Sequence, residues 1–519
     1  MNLYIKIGLS ALVMLFFTSC DNEEYFELEN PPQAPWQSLN DLEKAPIGAY
    51  YGLTGNGGSR TIFGVGRLAG EAFADGVNIA PAADGFSVDN DTEDLYNRTQ
   101  AGNQVGLFDN SIFNSGYFAV GFANGALDFI ENANNDPFPE ANRPDEVARI
   151  KGELLFVRAY AYYWIARLYL PVYPSDEKKI PFRVNQATNF DEAIASPLAS
   201  ANDIYPLIVE DLKAAKELLP EKFDPALHPA PYEDGRVNKF GAAALLAKVH
   251  FHMGNQTEAL SELNFVIDQN GGEYDLSEEP IEAWNKSGIE RGREVIWYYT
   301  LWAGDGLGGS SNWKHPTRFS WYSAGNRDSD DPSKNGARFV TASESFLKQA
   351  GWMNADGSEN PDALNDKRYT QLFSRFESGA DPREQFNTTK PYVWSNKYYR
   401  SGVRRSTNLP ILRLADMYLL RATVNALNGN TGQARTDLNM VRNRAGLGDF
   451  AGTDGDLLEA IEMERMVELA FEGDRLYYLQ GLKKDIPNGD RGAGSVPYNG
   501  NFYSEVPDYE VELNQGYTN

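Results

Sequence analysis

A single cysteine, Cys20, and four histidines are all that the 519-residue chain offers to disulfide or soft-metal chemistry. One thiol cannot close an internal disulfide, and so few imidazoles nearly exclude a structural zinc site. Cations are scarce as well: 47 Lys and Arg stand against 73 Asp and Glu, for a formal charge of -26. Such a surface repels DNA, RNA and anionic headgroups, which argues against nucleic acid as a partner and leaves neutral or weakly charged ligands open. No apolar run reaches the ~20 residues that a membrane-spanning helix needs. Aromatics, by contrast, are plentiful, at 13% of the chain with 28 Tyr and 9 Trp. The length suffices for a large core.

The apolar run that does exist, residues 5–17, has one lysine near its start and ends at Thr18-Ser19-Cys20. A charged start, a short apolar middle and small residues before a break describe a secretory signal over residues 1–19. The residue after the break is the one cysteine, as at a bacterial lipoprotein cleavage site. Cys20 is therefore expected to become the first mature residue, lipidated (palmitate among the acyl groups) on its sulfur and amine. Each buried methylene contributes ~0.8 kcal/mol, so two or three acyl chains hold a protein on a membrane where one would not. The acidic run Asp21, Glu23, Glu24, Glu27 and Glu29 has no cation to pair with. It reads as a solvated tether within residues 20–45, and it resembles the acidic signal that sends some Bacteroidota lipoproteins to the cell surface.

Residues 147–170, "VARIKGELLFVRAYAYYWIARLYL", place Val147, Ile150, Leu154, Val157, Ala161, Ile165 and Leu168 at helical spacing. Phe156, Tyr160, Tyr163 and Trp164 widen that face until little of the helix could meet water, and Pro171 stops it. A second helix is predicted from Ile204 to Leu219. Two later stretches resemble each other: "GNQTEALSELNFV" at 254–266 and "GNTGQARTDLNMV" at 429–441. Each follows an alanine- and leucine-rich helix, so each copy reads as helix, Gly-Asn turn, helix, the form of a tetratricopeptide repeat. Ala247 and Ala422 fall at matching places where small residues let helices approach. A further pair is expected at 456–482 and another at 147–219. Long stretches at 67–125 and 275–405, rich in Gly, Asn, Asp and Ser, are expected to project as insertions with short strands such as "EVIWYYTLW". The fold class is thus mainly α: one domain over 46–519, with interleaved helix pairs, loop-rich insertions and a few short strands.

The strings "LPILRLADMYLLRATVNALNGNTGQARTDLNMVRNRAGL" (409–447) and "AIEMERMVELAFEGDRLYYLQ" (460–480) resemble the C-terminal signature of SusD/RagB outer-membrane lipoproteins. "GELLFVRAYAYYWIARLYLPVY", "RVNKFGAAALLAKVHFHMGN" and "LAGEAFADGVN" fit the same family in the same order. The resemblance implies a SusD-like fold and a surface glycan-binding lipoprotein of the outer membrane. It also implies a partner, a SusC-like TonB-dependent transporter that this protein caps as a lid, and no enzymatic activity of its own.

Two rival classes stay in view: a surface polysaccharide-degrading enzyme, and a protein-interaction scaffold without glycan binding. An enzyme of this kind needs two carboxylates flanking the scissile bond. Glu71 and Asp75 stand at i, i+4 in "GEAFADG", where structural hydrogen bonds are the commoner use. His250 and His252 point away from each other on a helix, which suits packing rather than a metal. "GLGGSS" (306–311) lacks the lysine of a phosphate loop. "DNDTED" (89–94) has the acid density of a calcium loop without its glycine and distal glutamate, so a loop calcium stays open and no cofactor is otherwise indicated. Sugar rings stack on aromatic planes while polar groups read their hydroxyls. Helical aromatics at core spacing are discounted, which leaves the loop-borne Trp302, Trp313, Trp321 and Tyr322. Tyr96, Asn97 and Arg98 from the earlier insertion, with Asp75, complete the expected ligand site.

Overall fold

The computed structural model describes residues 36–54, 62–79, 90–99, 110–228, 235–284, 291–299, 340–373, 393–398 and 408–517. Cys20, its signal and most of the tether lie outside the described residues, as do Trp302, Trp313, Trp321 and Tyr322. The chain divides into two units between Leu42 and Glu43. In the first, Leu39–Leu42 forms one helical turn, and the Ser38 hydroxyl donates to the Asp41 carboxylate at 3.0 Å.

The second unit is built of helices. α1 (Lys44–Gly52), α2 (Ile62–Ala72), α3 (Asn90–Asn97) and α4 (Asn110–Asn132) precede the longest regular pattern in the sequence, which forms α5 (Pro144–Tyr169). Pro144 opens α5 with Asp145 and Glu146 in its first turn, the charges that a helix N-terminus favours. Ser200 and Asp203 form a reciprocal cap for α6 (Ala201–Leu218). The two look-alike stretches become α7 (Lys239–Met253) with α8 (Gln256–Asp268), and α9 (Leu414–Leu427) with α10 (Thr431–Arg444). Their turns use Gly254 and Gly429 at φ of 79° and 76°, a left-handed conformation that costs glycine little. That requirement is why the Gly-Asn pair recurs.

Each of the helices α4 to α9 packs on the next, and α9 then meets both α10 and α11 (Leu457–Glu468). α8 therefore adjoins α9 although the whole 275–405 stretch separates them in sequence. Ala247 and Ala422 are fully buried, and Ala422 sits in an apolar cluster with Leu419, Leu438, Val441 and Ile461. The pair expected at 456–482 does not close as a repeat. α12 (Arg475–Gly481) leaves the row and packs on α7 and α2.

The stretch 67–125, expected to project, does not do so in its described parts. α2 buries Leu68, Ala69 and Ala72, and α4 packs along α5 and α1 with Ile112, Val120 and Leu127 inside. Its glycines suggest a loop, but Gly116 serves close packing. A Cβ on Gly116 would meet the Ile165 side chain at 2.7 Å. The 275–405 stretch does supply strands. "EVIWYYTLW" yields β4 (Val295–Tyr299), which pairs antiparallel with β6 (Leu409–Arg413). β5 (Val340–Ala342) pairs with β1 (Val77–Ile79), β2 (Ile180–Pro181) with β3 (Leu198–Ala199), and β7 (Ile486–Pro487) with β8 (Ser495–Val496). Trp297 of β4 is buried with its ring 4.9 Å from Phe156 and 5.0 Å from Tyr160.

Where β6 meets α11 the core is ionic. Arg413 donates to Glu294 at 2.7 Å, Glu468 at 2.8 Å and Glu472 at 2.7 Å. Arg444 reaches Glu294 and Glu468, Arg368 reaches Asp366 and Glu464, and Lys397 donates to Glu472 at 2.7 Å. Burial alone would raise Glu468 and Glu472, but the surrounding arginines and Lys397 outweigh it and hold both below the ordinary carboxylate range.

Candidate functional site

Of the expected ligand residues, four fall within the described structure. Asp75 is buried beneath the surface, with its carboxylate held by Arg475 at 2.8 and 3.1 Å. Its companion Glu71 is buried too and accepts from the Gly473 N–H at 2.8 Å. Both acids thus serve the scaffold. Burial pushes the Glu71 carboxyl up to about 7.

Tyr96, Asn97 and Arg98 sit at the end of α3, where Arg98 takes a left-handed φ of 57°. The Arg98 guanidinium donates to Phe73 O, Pro487 O and Asn488 Oδ1, each at 2.8 Å. Arg491 donates to Ala74 O at 2.7 Å and also to Ala72 O and Tyr96 O. Two guanidiniums therefore cap the carbonyl end of α2, where a helix favours positive charge. Burial and the neighbouring Arg491 pull Arg98 down to about 10. Arg491 also covers the Tyr96 ring at 4.1 Å. Asn97 alone of the three is exposed, with no side-chain partner among the described residues. Asp490 completes the joint by accepting from Asn78 at 3.0 Å and from the N–H groups of Glu344 and Ser345 at 2.9 Å. Residues 90–94 of the acidic run lie in α3, and no metal-like cluster occurs among the described residues.

Beside this joint lies a small open cleft walled by Tyr173, Tyr205, Tyr477, Phe502 and Tyr503 with Arg167 among them. Phe502 links the two features: its ring lies 5.6 Å from Phe73, and Arg98 approaches its face at 5.9 Å. The Arg167 guanidinium stacks at 3.3 Å from the Tyr477 ring centre, 4.2 Å from Trp164 and 4.5 Å from Tyr163. His252, one of the pair set aside for packing, shares a 2.7 Å hydrogen bond between Nδ1 and the Tyr163 hydroxyl. Burial first, then Arg167 and Lys248, hold that imidazole well below its ordinary value, so it is neutral at pH 7. Burial likewise raises Tyr205 to about 12. Among the described residues the cleft is thus an aromatic wall with one cation and no acid.

The cleft residues are absent from the expected site because they come from five separate segments. One local signal existed: Arg167 is the lone charge in the last two turns of α5, with aromatics rather than acids at i−4 and i−3.

A row of helix pairs bearing an aromatic cleft defines a binding protein on a tetratricopeptide-type scaffold. Residues 261–480 match the model described as the SusD family, and residues 75–251 the model described as "Starch-binding associating with outer membrane". The chain belongs to the SusD/RagB family. It is 27% identical over 429 residues to SusD-like protein P2 of Formosa agariphila, spanning 77% of each chain. A SusD superfamily protein of Bacteroides thetaiotaomicron shares the fold at a TM-score of 0.71 and 19% identity, over 92% of this chain and 99% of that one. A SusD-like protein described as laminarin-binding superposes at a TM-score of 0.67 and 20% identity, over 92% and 98% of the two chains.

Proposed function

We propose that this protein is a cell-surface glycan-binding lipoprotein that captures oligosaccharides and passes them to a SusC-like TonB-dependent transporter, over which it closes as a lid. The aromatic cleft around Arg167, on a SusD/RagB scaffold, is the observation that carries this reading. Apolar sugar faces suit its rings, and amide and hydroxyl groups suit the sugar hydroxyls. A laminarin-binding protein of the same fold supports it. No catalytic step is needed, and the one acid pair singled out in the sequence is spent on Gly473 and Arg475. Lipid on Cys20 would hold the protein at the outer membrane, and the acidic tether would serve as the hinge.

Calorimetry against a glycan panel tests the capture step. Alanine at a true contact among Tyr96, Trp302, Trp313 and Trp321 should remove ~2 kcal/mol or more of binding with the fold intact. If the best glycan binds all four variants as it binds the parent, those aromatics are not the platform. Cell fractionation tests the anchor and the partner together. Cys20→Ala should appear in the soluble fraction without radiolabelled palmitate, while the parent, extracted in mild detergent, should copurify with a much larger barrel protein. Equal palmitate in both forms, or a parent that is always alone, would count against the lid.

A further inference from the structure

We infer that Arg167 makes the cleft selective for an acidic sugar, binding the oxyanion of a uronate carboxylate or a sulfate ester while the aromatic walls hold the ring. The inference rests on the glycan-binding reading above and adds the ligand's charge to it.

Arg167 is the exception among the arginines of the described residues. Arg158, Arg368, Arg413, Arg421, Arg465 and Arg475 each grip a carboxylate. Those that face no acid, Arg67, Arg98 and Arg491, give their N–H groups to carbonyls. Arg167 has neither kind of partner; its company is three rings and the Tyr477 hydroxyl. Its Nε–H is buried with no acceptor. A desolvated donor left unpaired is costly, and in a chain of charge -26 an acid could easily have been supplied.

None of the titratable neighbours can supply the missing counter-charge. His252 and Tyr205 are neutral, and among the described residues no carboxylate lines the cleft. Arg167 also lines an inner cavity that does contain acids, but these are already engaged. Asp416 pairs with Lys248 and Arg465, Asp474 with Arg465, and Glu472 with Arg413 and Lys397. Stacking on Tyr477 fixes the guanidinium plane, which preorganises its fork for a bidentate oxyanion. The acidic surface opposes approach only at long range, since exposed charges are screened beyond ~8 Å at physiological salt.

The test is calorimetry of the full mature chain with three probes of similar length: an oligouronate, a sulfated oligosaccharide and a neutral laminari-oligosaccharide. At least one acidic probe should bind more tightly than the neutral one, and the pair of acidic probes separates carboxylate from sulfate. Arg167→Gln should lower the acidic-to-neutral affinity ratio about tenfold or more, a charge-specific loss that a packing role would not produce. Because Arg167 also packs, Gln480→Glu at the cleft wall gives a second reading, in which the added carboxylate should depress the same ratio with the melting temperature held. An unchanged ratio in both variants, or a neutral probe preferred by the parent, overturns the inference and leaves glycan capture standing. Failure of all three probes to bind overturns both.

Discussion

Arg413→Met is expected to cost ~3–5 kcal/mol at neutral pH, more than any surface change could, because it strands buried carboxylates. Arg413 is the hub of the ionic core: one guanidinium reaches Glu294, Glu468 and Glu472 at 2.7 to 2.8 Å. Methionine matches much of its length but carries no charge, so those acids would be left to share Arg444, Lys397 and, for Glu468, Arg368. Both Glu468 and Glu472 have folded pKa values below their free values. The stability they carry is present above the ordinary carboxylate pKa and is lost as pH falls through the folded value. Removing Arg413 raises those values, so protonation relieves the variant sooner. The deficit should therefore be widest near pH 7 and shrink toward pH 4, as read by urea unfolding at the two pH values. A deficit under ~1 kcal/mol at pH 7 would mean that water enters and solvates the cluster, as at an exposed pair.

Glu71→Gln should do the reverse and stabilise the protein at alkaline pH. The Glu71 carboxyl is raised from 4.5 to about 7, chiefly by burial. Its contribution is fully present below pH 4.5 and is lost as pH rises through 7, on the order of 3 kcal/mol across that window. Glutamine keeps an oxygen for the Gly473 N–H and cannot ionise. Parent and variant should unfold alike at pH 4.5, and the variant should be the more stable by up to ~3 kcal/mol at pH 8.5. Superimposable pH profiles would show that Glu71 ionises in contact with solvent.

Local periodicity carried far into this structure, and non-local pairing did not. α5 to α10 follow from apolar spacing, prolines and two Gly-Asn turns, each of which acts within one or two helices. The adjacency of α8 and α9 was not legible, because nothing within either helix points across the 275–405 stretch to the other. α4 escaped because its glycines and asparagines match loop composition, while the contact that requires Gly116, with Ile165 of another helix, is absent from its own segment. The site divides the same way. Tyr96, Asn97 and Arg98 could be singled out as loop-borne polar and aromatic groups. That Arg98 would be consumed in capping α2 depends on Pro487 and Asn488, nearly the whole chain away. Asp75 was legible as an acid, not as the partner of Arg475. Arg167 is informative for what it lacks, and a missing partner cannot be read until every neighbour is placed.

The joint between α2 and the turn before α12 has a consequence for how the chain is made. Gly70 and Gly473 approach so closely that a Cβ on Gly70 would lie 2.1 Å from the Gly473 oxygen, and Glu71 and Asp75 find their partners at Gly473 and Arg475. During synthesis the first of these segments emerges some four hundred residues before the second. Until then its two acids lack these partners, although its apolar face can already pack on α4 and α5. Pairings of such long range close slowly, because the entropy of the intervening loop is lost before any contact repays it. This joint therefore closes only after residue 475 has emerged, and a chain stopped short of residue 473 would leave Glu71 and Asp75 without their partners while α1, α4 and α5 could still pack on one another.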